Sequence, residues 1–115
     1  TANGTLSTGA WAHIAVVKSS GTTKIYINGV EKASNTGTYF DDSGVQLAIG
    51  KQDIDADFNG YLDELRFSNS ARWTSGFTPP TSAYSSDANT MLLMHFDTVA
   101  ATTSFQSNLL MLGVG

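Results

Sequence analysis

The sequence WAHIAVVKSSGTTKIYINGVEKAS, residues 11–34, holds three short apolar runs divided by two turn signals. In the first run, WAHIAVVK, one parity carries Trp11, His13, Ala15 and Val17 and the other carries Ala12, Ile14 and Val16. Both sets are largely apolar, which predicts a strand that lies centrally and is covered on both faces. SSGTT then reads as a turn, and KIYINGVEKAS supplies two further strands around Asn28 and Gly29. Asn-Gly is the strongest short hairpin signal, because both residues accept the positive φ that a type I′ turn demands. No sustained helical period runs through the stretch, so the reading is all-β.

The same alternation of short strand and polar break continues downstream. GTYFDDSG is a loop tip, VQLAIG a strand, and KQDIDADFNG a second polar loop. YLDELRFS, residues 61–68, reads as a strand with Tyr61, Asp63, Leu65 and Phe67 on one face and Leu62, Glu64 and Arg66 on the other. The following NSARWTSGFTPPT is irregular or one helical turn, and Pro79 and Pro80 stop any strand there. After a run of Ser, Thr, Asn and Asp, a new apolar strand opens at residues 91–96.

Length and charge narrow the function classes. A chain of 115 residues, 41% hydrophobic and 14% charged, suits one packed domain. A net charge of −4, with six scattered Lys and Arg, offers no basic footprint for nucleic acid or an anionic membrane. No apolar run approaches the roughly 20 residues of a membrane helix, so no membrane insertion is expected. Zero cysteines remove disulfides and thiolate metal sites.

WAHIAVVKSSGTTKIYINGVEKAS, then LAIG, FNGYLDELRFSNSARW and FTPP, resembles the second half of the laminin-G-like, concanavalin A-like jelly-roll family over roughly residues 7–80. The similarity is greatest to bacterial and tailed-phage surface modules, which occur in tandem. It implies an antiparallel β-sandwich, here a truncated or permuted copy. The implied organisation is a jelly-roll half over residues 1–80, a linker over 81–90, and the first strand of a following repeat plus tail over 91–115. Because the family's first strand lies beside its last, residues 91–96 are expected to return against residues 61–67. An extracellular, cell-surface or virion-associated setting follows from the same resemblance.

The implied function is a non-catalytic binding or adhesion module for a glycan or cell-surface ligand. A structural spacer in a tandem-repeat fibre is the alternative, and a glycan-cleaving enzyme is a second. Against cleavage, Asp63 and Glu64 are adjacent on one strand and point to opposite faces, whereas a glycosidase pairs its carboxylates across the bond. Sugar binding calls for exposed aromatic rings and loop carboxylates or amides. The loop candidates are Tyr39, Phe40, Asp53, Asp55 and Asn59, with Trp73 either stacking on a sugar or packing the irregular segment. Asp63 either accepts loop N–H groups or, with Asp97, helps hold the structural calcium that the resemblance implies. His13 and His95 sit inside apolar strands and are expected to pack. An uncovered sheet face further predicts a homo-oligomer through residues 91–96 or 109–112.

Overall fold

The computed structural model describes residues 6–37, 48–50 and 58–97. Among them lie five strands: β1 (Ile14–Ser19), β2 (Thr22–Ile27), β3 (Val30–Thr36), β4 (Leu65–Ser68) and β5 (Thr90–Met94). The described residues form no helix, and so none long and apolar enough to cross a membrane. β1, β2 and β3 form one antiparallel sheet in that order, and β4 pairs with β5 in a second.

Two turns of positive φ set the first sheet. Ser20 and Gly21, at φ 48° and 77°, join β1 to β2; Asn28 and Gly29, at 52° and 77°, join β2 to β3. This backbone matches the right-handed twist of the strands it connects. Asn28 also ties back to the entry of β1, its N–H donating to the His13 carbonyl at 2.8 Å and its Oδ1 accepting from the His13 N–H at 2.9 Å. The β1–β2 register places Ala15 opposite Tyr26, Val17 opposite Lys24 and Ser19 opposite Thr22, all on one face.

That face carries the core. Ala15, Val17 and Tyr26 are buried, and Trp73 and Phe77 from the segment after β4 pack against them. The opposite face is open: Ile14 is 55% exposed and Val16 67%. Among the described residues β1 thus lies at the edge of its sheet, covered on one face, where the double apolar parity pointed to a central strand covered on both. Its alternation is that of a half-buried strand, and no described segment lies over Ile14 and Val16.

The second sheet also starts later than expected. Residues 61–64 are not in a strand, and Glu64 takes φ 52°, a left-handed conformation that breaks the period-2 alternation before β4 begins. Tyr61 is therefore 86% exposed, and Glu64 rather than Asp63 turns inward. β5 returns on β4 antiparallel, with Leu65 opposite Met94 and Phe67 opposite Leu92. The expected strand VQLAIG lies outside the described residues except at residues 48–50, which are irregular.

Candidate functional site

The irregular segment between β4 and β5 is the second layer of the described structure, and aromatic rings make it so. Trp73 and Phe77 stack with centroids 4.1 Å apart and planes 9° apart. Phe77 meets the buried Tyr26 edge-on at 5.5 Å, and His13 meets both Trp73 and Phe77 edge-on at 5.4 Å. Offset-stacked and edge-to-face pairs match the ring quadrupoles and add about 0.5–1.5 kcal/mol each beyond the area they bury. The Phe77 N–H donates to the Gly29 carbonyl at 3.0 Å, so the Asn-Gly turn is also the docking point for this segment.

Two polar groups join the aromatic layer. His13 Nε2 and the Tyr84 hydroxyl are hydrogen-bonded at 2.6 Å, while the Arg66 guanidinium lies 4.0 Å from the Tyr84 ring centroid and 5.8 Å from that of Trp73. Burial, with Arg66 as a second cause, pushes the His13 pKa below its ordinary value. A charged His13 would bury a second N–H with no partner, because Nδ1 is enclosed and unpaired. His13 is therefore a neutral packing residue, and Arg66 is held over the ring by cation–π attraction.

Polar clasps hold the ends of the segment. Arg72 donates to both carboxylate oxygens of Asp87, at 2.8 and 2.7 Å, and through Nε to Ser68 Oγ at 2.6 Å. This two-pronged geometry holds the Asp87 carboxyl far below the usual carboxylate range. On the other side Glu64 accepts from the Tyr84 N–H at 2.7 Å and contacts His95 Nδ1 at 2.7 Å. The Tyr84 N–H first and His95 second lower the Glu64 pKa, and Glu64 in turn raises that of His95.

Where this layer meets the turn end of the first hairpin, a groove of about 180 Å³ forms. Its floor is Val17, Ser19, Thr22 and Lys24, and its wall is Trp73 and Thr74. The Lys24 ammonium donates to Glu31 Oε2 at 2.9 Å and to the Thr74 carbonyl at 3.3 Å, which pins the wall to the floor. Thr22 and Thr36 share a hydroxyl contact at 3.2 Å at the rim. An aromatic wall, two floor hydroxyls and one ammonium form the mixed lining that small polar ligands with an apolar face require.

The sequence-derived candidates fall elsewhere. Tyr39, Phe40, Asp53 and Asp55 lie outside the described residues, and Asn59 is exposed ahead of β4. Asp63 is exposed, its Oδ1 accepting from the Glu64 N–H at 2.8 Å. Asp97 is exposed just beyond β5, and both carboxylates lie close enough to His95 to help raise its pKa. Among the described residues no three His, Cys, Asp or Glu gather as a metal site. Among the described residues the calcium expectation rests on Asp63 and Asp97, two of the six to eight oxygen ligands that calcium takes. Trp73 packs the irregular segment onto the sheet, and its edge also lines the groove. The roles of Glu64 and Lys24 were missed: the left-handed φ at Glu64 leaves no mark in sequence, while Lys24 and Glu31 flank the Asn-Gly turn closely enough to have been paired.

Antiparallel sheets, an Asn-Gly hairpin and a sheet face capped by an aromatic layer define an all-β module of the lectin-like sandwich class. The family model described as the concanavalin A-like lectin/glucanases superfamily matches residues 1–75, and the chain belongs to that superfamily. No curated protein and no solved structure matches it.

Proposed function

We propose that the chain is a non-catalytic glycan-binding module, with its ligand seated in the groove between the β1–β2 hairpin and Trp73. The observation that carries this reading is the lining itself: an indole wall beside hydroxyl and ammonium donors on a rigid two-strand floor. Sugars offer apolar C–H faces to rings and hydroxyls to such donors. The carboxylates favour binding over cleavage, since Glu64 is committed to Tyr84 and His95 and Asp63 to the Glu64 N–H. The reading carries with it an extracellular, cell-surface or virion-associated setting, where glycans are displayed. It also includes self-association, because the apolar side chains of Ile14, Val16 and Met91 are 55%, 67% and 68% exposed.

A glycan array probed with the wild type and with Lys24→Ala tests the function. Retention that falls in the variant supports the groove. Equal retention moves the ligand to another surface, and no retention by the wild type leaves a structural spacer.

A further inference from the structure

Resting on the glycan reading, we infer that the groove is a dead end that accepts a single terminal pyranose ring, presented end-on, rather than a cleft that threads a polysaccharide chain. The floor spans two cross-strand rows, Val17 with Lys24 and Ser19 with Thr22. Same-face neighbours along a strand are about 7 Å apart, so the floor is of one-ring length. Inward, the next row is Ala15 with Tyr26, where Tyr26 is completely buried and Phe77 lies against it. No chain continues in that direction. The flank is shut as well, because Lys24 bridges from the floor to the Thr74 carbonyl and to Glu31. Among the described residues the groove opens over Ser19 and Thr22 toward the turn at Ser20 and Gly21, across the end of its floor rather than along it.

Volume agrees with this shape. At about 180 Å³ the groove is smaller than the roughly 300–1,000 Å³ of pockets that take drug-sized ligands. The donors suit a neutral sugar: the Ser19 hydroxyl stands on the floor beside the Lys24 ammonium, which Glu31 and the Thr74 carbonyl already engage. The Glu31 carboxylate beside it offsets the ammonium charge, so no strong call for an acidic sugar arises.

The test is calorimetric titration of the full chain with methyl glycosides of glucose, galactose, mannose and N-acetylglucosamine, and with di- and trisaccharides bearing each ring at the non-reducing end or only internally. The expected result is one ring type bound equally well as the methyl glycoside and as the terminal unit of longer chains, and not bound when internal. An affinity gain of about tenfold or more per added ring, or binding of internal units, overturns the dead-end groove while leaving the glycan reading intact. No binding of any saccharide overturns both. Because Trp73→Ala removes a packing residue and can unfold the layer, Ser19→Trp is the second variant. It plugs the mouth from an exposed hairpin end, and it should abolish binding with the melting temperature unchanged; retained binding refutes the assigned mouth.

Discussion

Tyr26→Phe should stabilise this protein. Tyr26 is fully buried between β1, β3 and Phe77, and its hydroxyl has no hydrogen-bond partner. Tyr26 lies close enough to Lys24 to contribute to the raised pKa of that ammonium, but the hydroxyl is outside hydrogen-bond geometry, and Lys24 donates instead to Glu31 and Thr74. An enclosed hydroxyl with no partner carries a desolvation cost of about 1–3 kcal/mol. Removing it leaves the ring contacts intact and opens a void of one oxygen atom, which takes back part of the gain. The net expectation is about 1 kcal/mol in favour of the variant, or a melting temperature about 3–6 °C higher for a chain of 115 residues. Urea titration followed by tryptophan fluorescence should show a higher midpoint at an unchanged slope. Tyr26→Ala gives the contrast: loss of a buried aromatic costs about 3–5 kcal/mol. A Tyr26→Phe variant less stable by 1 kcal/mol or more would refute the reasoning, since it would mean that the hydroxyl is paired in solution.

Four further expectations share the same structural basis. Gly29→Ala should detach the aromatic layer, because a Cβ there runs into the Phe77 carbonyl oxygen and the φ of 77° suits glycine; tryptophan emission should shift red at ambient temperature. Stability should peak near the ordinary histidine pKa of about 6.5. His95, whose folded pKa is raised, contributes below that value and loses its contribution as pH rises through the folded pKa. His13, whose folded pKa is lowered, contributes above it and loses its contribution as pH falls; His95→Gln and His13→Gln should each flatten one limb of the urea-midpoint profile. Should Asp63 and Asp97 hold calcium, chelation lowers the melting temperature and Asp63→Asn removes the response; a wild type indifferent to chelator leaves Asp63 as the acceptor of the Glu64 N–H. Light scattering at micromolar concentration should show a species larger than one chain, and Val16→Lys with Met91→Lys should shift it toward monomer.

The parts of this fold that were legible in sequence are those set by local chemistry. Asn28-Gly29 announced its turn because few other dipeptides take positive φ twice, and the return of the last strand onto β4 followed from its family order. What escaped was whatever depends on a single dihedral or on distant layers. Glu64 at φ 52° exchanged the roles of two adjacent carboxylates, making Glu64, and not Asp63, the acceptor of the Tyr84 loop N–H and the clasp on His95. Apolar residues on both parities of β1 showed that both faces could be buried, but not which one would be. The groove was unreadable for the same reason: Lys24 and Trp73 are 49 positions apart, and the docking of Phe77 on Gly29 and of Thr74 on Lys24 brings them together.

That docking makes the groove a property of the clasps as much as of its lining. Trp73 lies one residue beyond Arg72, whose guanidinium holds Asp87 and Ser68, and eleven residues before Tyr84, whose N–H is held by Glu64. Between these anchors the segment has no regular backbone pairing, so the position of the indole depends on stacking with Phe77 and on the anchors at either end. Glu64 in turn depends on His95, which follows β5 directly. The returning strand therefore does more than cover β4: through Glu64 and Tyr84 it fixes one end of the layer that forms the groove wall. A chain lacking β5 would keep the hairpin floor and lose one of the anchors that hold Trp73 over it, so the capacity to bind is joined in part to the strand that pairs with β4.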